Sequence, residues 1–179
     1  DQLVDAGVLF LNLMGGEFFM RRDADEILQM AHDRGFAIKV LSTGHHIHEK
    51  RADYLATLRP LQVDLSLYSG SAKIHEEVTR QKGSWLRTYN AAKRLIERKS
   101  NVVLKTPLMH SNVSEMLELE KLAIATGAEY TFDPNITANE NGDLDSVRLR
   151  MSKESLSQMY SQMLVGELGE SFRGVETQD

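Results

Sequence analysis

The sequence predicts an α/β fold built around a parallel sheet. Three observations carry this expectation: five short β-rich runs, amphipathic stretches of helical length between them, and run starts separated by about 25–40 residues, the repeat of βα units. Several runs are apolar enough to be covered on both faces, as parallel strands are. Right-handed crossovers then leave two architectures, a doubly wound open sheet and a complete or partial (β/α) barrel. In both, chemistry sits at the carboxyl ends of the strands.

The first predicted strand covers residues 8–14 and runs into Gly15-Gly16. A helix over 23–34 follows, with Ile27, Met30 and Ala31 on one face, Asp23 and Glu26 spaced as a capping box, and Gly35 where a C-terminal glycine belongs. The second strand, 37–42, is followed by a helix over 48–58; the third, 63–68, precedes a helix over 85–99 with Leu86, Tyr89, Ala92, Leu95 and Ile96 on one face. The fourth strand, 102–106, leads into a helix over 114–126 that starts at Ser114 with an acidic first turn and closes at Gly127. A fifth strand over 129–133, a long loop rich in Asn, Asp and Gly over 135–146, and a last helix over 151–165 complete the reading.

Composition narrows the function. Of 179 residues, 41% are hydrophobic and 26% charged, which excludes a disordered chain. No window approaches the roughly 20 apolar residues of a membrane helix, and a net charge of −5 argues against a protein built to grip nucleic-acid phosphate. Neither a membrane nor a nucleic acid is therefore an expected partner. The charge is uneven: eight Lys or Arg against three Glu over residues 73–99, and thirteen acids against five bases from Val113 on. Such blocks read as solvated helix faces or as a basic face for an acidic partner. There is no cysteine, so no thiolate nucleophile, thiolate-bound zinc or iron–sulfur cluster belongs to these residues. The start, which lacks both an initiator Met and a signal-peptide pattern, suggests a segment of something longer.

The sharpest motif is Gly15-Gly16-Glu17 after the first strand. Two glycines there let backbone groups approach a ligand with no Cβ in the way, and the following carboxylate can accept from an ammonium, so the motif suits an amino-acid-like ligand. A tight βα turn would use the same glycines. His45, His46 and His48 form the one histidine cluster, but on a loop they lack the i, i+4 spacing that aims two nitrogens at one metal, and no metal site is expected. His75 is either a general base or a residue that caps and orients a helix end. Lys105, in a strand of Val and Leu, is either a snorkelling edge residue or a cation for a carboxylate or phosphate.

In order and spacing, Leu3-x-x-Ala6-Gly7, Gly15-Gly16-Glu17, Arg22 to Ile27, Gly35-Phe36, Ser42-Thr43-Gly44, Ser66 to Ser69, His75-Glu76 and Lys82 to Trp85 resemble the core of the radical S-adenosylmethionine (SAM) enzymes. The set looks most like the branch that carries a C-terminal SPASM or related domain and modifies peptides and proteins. The resemblance covers about residues 1–150. It implies a partial (β/α)6 barrel of the TIM type with outer helices and its first βα unit missing, followed over 151–179 by a C-terminal helix and the start of a linker to a missing domain. It also implies that Gly15, Gly16 and Glu17 bind the amino group of SAM, that Ser66 lies near SAM, and that Thr43, Lys105 and Asn112 contact it. Phe18 stands where the family often has Pro, and Ser42-Thr43-Gly44 where it has Thr-Asn-Gly.

The family's CxxxCxxC, which holds a [4Fe–4S] cluster, would lie upstream of Asp1, and these residues alone would be catalytically silent. The whole protein would reductively cleave SAM to a 5′-deoxyadenosyl radical that abstracts hydrogen from a peptide or small-molecule substrate. A flavodoxin or ferredoxin would supply the electron, in a reducing cytoplasm. Two other readings stand beside this one. A cluster-free barrel module could bind a nucleotide or amino acid at the same strand ends, and a barrel hydrolase could use zinc on the histidine cluster.

Overall fold

The computed structural model describes residues 1–139 and 141–165, with side chains as far as Ser161. It contains two compact units: residues 1–106 with 115–132, and residues 107–114 with those from Asp133 on.

The first unit holds the sheet. Strands β1 (Phe10–Leu13), β2 (Ala37–Ser42), β3 (Gln62–Ser66) and β4 (Val102–Pro107) pair in parallel, β5 (Glu129–Asp133) follows β4, and the spatial order is the chain order. That order decides between the two predicted architectures. A doubly wound sheet reverses its strand order at a switch point, whereas an unreversed order with same-handed crossovers places every helix on one side, as in a barrel. The five strands do not close, so the unit is a partial barrel.

Helices α1 (Gln2–Asp5), α2 (Ala24–Asp33), α3 (Glu49–Leu58), α4 (Ala72–Thr79), α5 (Ser84–Glu97) and α6 (Met116–Thr126) complete the unit. The core lies between helices and sheet: Leu28, Leu55, Leu95 and Leu119 from the helices meet Val40, Val63, Leu65 and Leu104 from the strands, all buried. These strand residues share one parity, so the pleat turns the alternate positions to the opposite face. That face carries Asn12, Lys39, Gln62, Asp64, Ser66 and Lys105, with Leu41 and Val103 flanking Asp64 in the register. Lys39 Nζ lies 3.8 Å from the buried Asp64 carboxylate, which Gln62 also holds.

Four expectations need correction. A helix, α4, fills the interval that the sequence reading left without one; its single buried residue is His75, so no apolar stripe announces it. The short α1 was also missed; four residues carry too little pattern to stand out. Asp23 stands at the N-cap of α2, but its carboxylate takes the Arg21 guanidinium at 3.0 and 2.8 Å, so the capping box does not form. β1 is shorter than expected, Phe10–Leu13, because only these residues reach register with β2.

Close packing positions α5. Gly44, just past β2, has φ +80°, and a Cβ there would lie 2.9 Å from Ala91 Cβ on α5. No side chain fits between that loop and the helix. On the solvent side, Arg94 of α5 and Arg98 at its C-cap reach Glu49 at 2.5 and 2.8 Å, and Arg98 reaches Asp53 at 2.6 Å.

In the second unit the turn after β4 is closed by Asn112, whose Oδ1 accepts from Met109 N–H at 2.8 Å while its Nδ2 donates to the Pro107 carbonyl at 3.1 Å. A 3-10 segment (Asp145–Leu149) and α7 (Lys153–Val165) follow the long loop. The helix expected within 151–179 is present from Lys153, and residues 166–179, where that stretch was expected to lead into a linker, lie outside the described residues.

Candidate functional site

The carboxyl ends of β1, β2 and β3 carry the residues that the sequence reading singled out. After β1 the backbone passes through Gly15 at φ +150°, a conformation that L side chains rarely adopt. A Cβ built on Gly15 or on Gly16 would meet no atom within 4 Å. The two peptides thus border open space, as a segment must if a ligand is to hydrogen-bond directly to backbone groups.

Glu17 turns the chain inward. It caps the 3-10 turn Phe18–Met20, whose phenylalanines are buried under the helices, and its carboxylate reaches the end of β2. Oε1 accepts from Phe19 N–H at 3.2 Å and from Ser42 Oγ–H at 2.8 Å; Oε2 accepts from Thr43 N–H at 2.7 Å and Thr43 Oγ–H at 2.5 Å. Burial alone would push this carboxyl up, but the bonds from Thr43, Ser42 and Phe19 together hold its pKa below the ordinary value. With four donors from its own chain, the carboxylate staples the segment after β1 to the end of β2.

Thr43 is the other half of this staple. Its hydroxyl and N–H go to Glu17, and its carbonyl accepts from Thr88 Oγ–H on α5 at 2.7 Å. Ser42 Oγ in turn accepts from Gly44 N–H at 2.9 Å. The Ser-Thr-Gly triplet, where the family pattern has Thr-Asn-Gly, serves this internal network. His45 follows, half-buried; burial first and then the nearby Arg87 charge lower its pKa, while Glu17 pulls the other way and a backbone bond at Ser84 holds the ring.

Ser66 and Lys105 are register partners at the carboxyl ends of β3 and β4, on the face that carries Asp64. Among the described residues no carboxylate comes within ion-pair distance of Lys105. Beyond Ser66 the chain is tied down at each step: Leu67 N–H donates to the Lys105 carbonyl, Thr106 Oγ–H donates to the Leu67 carbonyl, and Tyr68 N–H donates to His75 Nδ1.

Other predicted residues lie elsewhere. Asn112 belongs to the second unit, where its amide closes the turn just described. His46 and His48 line a groove between α2 and α3 with Asp25, Gln29 and Tyr54, apart from the network around Glu17. Among the described residues no group of three His, Asp or Glu is placed to share a metal. Sequence reading missed Ser42 and Thr88 as parts of the network. Only the first carried a signal, as the last residue of a predicted strand.

Known proteins resemble this chain in sequence and in fold. The sequence profile of the radical SAM superfamily matches residues 1–123. The antilisterial bacteriocin subtilosin biosynthesis protein AlbA of Bacillus subtilis is 27% identical over 130 residues, 72% of this chain and 29% of AlbA. A PqqA peptide cyclase of Ruegeria pomeroyi is 27% identical over 128 residues, 72% of this chain and 34% of the cyclase. The crystal structure of Streptococcus suis SuiB superposes with a TM-score of 0.74 at 16% identity, covering 91% of this chain and 38% of SuiB; SuiB has also been solved with SAM and with its precursor peptide SuiA. That likeness bears on the fold. The chain spans about a third of the length of the curated relatives it matches.

Proposed function

The chain belongs to the radical SAM superfamily, and on that premise we propose that it is the central part of an enzyme that reductively cleaves SAM and abstracts hydrogen from a peptide or protein substrate. Two named relatives support the substrate class: one is a peptide cyclase and the other a bacteriocin biosynthesis protein. Residues 1–150 would form the core barrel, with a further βα unit beside β1, which has a neighbour on one side only and leaves Phe10 exposed. Residues 151–179 would lead toward a C-terminal domain of the SPASM type.

The observation that carries the reading is the strand end at Gly15-Gly16, where bare backbone borders open space, on the same sheet as the Ser66–Lys105 pair. An amino-acid ligand fits these donors and acceptors. Backbone carbonyls at Gly15 and Gly16 would take the ammonium of SAM, Glu17 and Thr43 would hold that backbone in place, and Ser66 and Lys105 would offer a hydroxyl and a cation to the polar groups of the ligand. Asn112 would act by shaping the turn after β4. Bound there, SAM supplies the 5′-deoxyadenosyl radical on one-electron reduction. The chain's part is to bind, orient and exclude water. A [4Fe–4S] cluster does not fit these residues, since none of the 179 is a cysteine; its ligands would come from elsewhere in the protein, and a flavodoxin or ferredoxin would deliver the electron in the cytoplasm. No helix of the described residues is long and apolar enough to cross a membrane.

The test is anaerobic turnover by the full-length protein, reconstituted with iron and sulfide and reduced with dithionite. Release of 5′-deoxyadenosine from SAM is expected. A protein with a full cluster that binds no SAM and releases none would overturn the reading.

A further inference from the structure

His75 is the least exposed large polar residue of the first unit's helices, 1% accessible, and the sequence left it between two roles. It sits one turn into α4, behind the cap made by Ser71 Oγ, which accepts from Ile74 N–H. Its ring lies 5.6 Å from that of Tyr68, and its Nδ1 is 3.1 Å from Tyr68 N. A backbone N–H can only donate, so Nδ1 carries no proton and the ring's hydrogen is on Nε2. That second nitrogen is buried and has no hydrogen-bond partner among the described residues.

A buried N–H without an acceptor costs stability. The general-base role predicted as one alternative is incompatible with this environment, because neither nitrogen reaches solvent or the open strand end. Helix capping is also not its task, since Ser71 does that. What His75 does is accept the Tyr68 N–H in the β3–α4 connection. The neighbouring groups are already assigned: Leu67 to β4, the Ser69 hydroxyl to Glu115 at 2.9 Å, the Ser69 carbonyl to Trp85 Nε1 at 3.1 Å, and Ser71 N–H to Ser69 Oγ at 2.8 Å. Tyr68 is the point where this brace comes closest to Ser66.

We propose that His75 is a positioning residue of the SAM site: through Nδ1 it fixes the Tyr68 peptide, and so sets the direction in which the end of β3 presents Ser66 beside Lys105. This rests on the functional reading above. The imidazole is retained, despite its idle Nε2–H, because it offers an acceptor at the correct depth on a flat ring that fills the space under Tyr68. Asparagine places its Oδ1 where Nδ1 stands and keeps the bond. Phenylalanine fills the volume and loses it.

The experiment compares the full-length reconstituted holoenzyme with its His75→Asn and His75→Phe variants, with SAM as the only ligand. Two readouts are taken at equal cluster content. The first is hydrogen exchange by mass spectrometry over residues 66–71, which needs no activity. Exchange about tenfold faster in His75→Phe, and near wild type in His75→Asn, is expected; equal exchange in all three overturns the positioning role. The second is the KM for SAM in dithionite-driven cleavage. A rise of about tenfold in His75→Phe with kcat within threefold, restored by His75→Asn, is expected. Faster exchange with an unchanged KM would sink the link to the SAM site. If wild type itself fails to cleave SAM, the functional reading falls while the exchange result still decides the loop's dependence on His75. Should His75→Phe not fold, loss of protection in His75→Asn equal to that in His75→Ala would overturn the proposal.

Discussion

Glu17 Oε2 accepts both the N–H and the hydroxyl of Thr43, at 2.7 and 2.5 Å, and this joins the segment that follows β1 to the residue just past β2. Adjacent parallel strands share a ladder but have no covalent link near their carboxyl ends; the staple ties them there by hydrogen bonds, beside the open glycine backbone.

Glu17→Gln turns one acceptor oxygen into a donor facing donors, and should lower the unfolding free energy by about 1.5–3 kcal/mol. Thr43→Val removes the hydroxyl alone and should cost about 0.5–1.5 kcal/mol. Chemical denaturation of the two variants checks both; an unchanged midpoint for Glu17→Gln would mean that the carboxylate is not braced. Because the folded pKa of Glu17 lies below the ordinary 4.5, its contribution is present above that value and is lost as pH falls through the folded pKa. The variant should lack this acid-side loss.

His75 has the opposite chemistry and the same sign. Burial, with the His45 charge second, lowers its pKa from 6.5 to about 4, so the folded protein holds a neutral ring where the unfolded chain is protonated. Stability should therefore rise with pH between about 4 and 6.5 and level off outside that window, by on the order of 3 kcal/mol in all. Denaturation midpoints at pH 4.5 and 7.5 should differ more for wild type than for His75→Asn. Equal differences would place His75 in solvent.

Gly16→Ala separates ligand binding from folding. No atom lies within 4 Å of the added methyl, so stability should stay within about 0.5 kcal/mol, while SAM affinity in the reconstituted full-length protein falls by about tenfold or more. Calorimetric titration beside a melting curve gives both numbers. Unchanged affinity would remove the glycine backbone from the site.

Gly44→Ala should do the reverse. The methyl would stand 2.9 Å from Ala91 Cβ at a residue with φ +80°, and overpacking together with left-handed strain predicts a loss of about 2–4 kcal/mol. A melting temperature equal to wild type would show that α5 can move away freely.

Lys105→Met breaks no ion pair with a described residue, so it should leave the melting temperature within a few degrees of wild type. Its SAM affinity should fall, and the deficit should shrink as salt is raised, because salt screens what the cation contributes. A deficit independent of salt would point to packing instead.

The sequence by itself determined the five strands, most of the large helices and the strand ends where ligands gather, because hydrophobic period and glycine punctuation are local properties that survive in one dimension. It also marked Gly15, Gly16, Ser66 and Lys105, whose meaning depends on standing directly after apolar runs. Tertiary structure alone decided that the strands lie in unreversed order, that α4 exists around a buried histidine, and that Glu17 and Thr43 spend themselves on each other. Those outcomes depend on which polar groups meet across tens of residues. A carboxylate in a sequence has the same acceptors whether it faces an ammonium or a neighbouring strand, and only the positions of the donors distinguish the two.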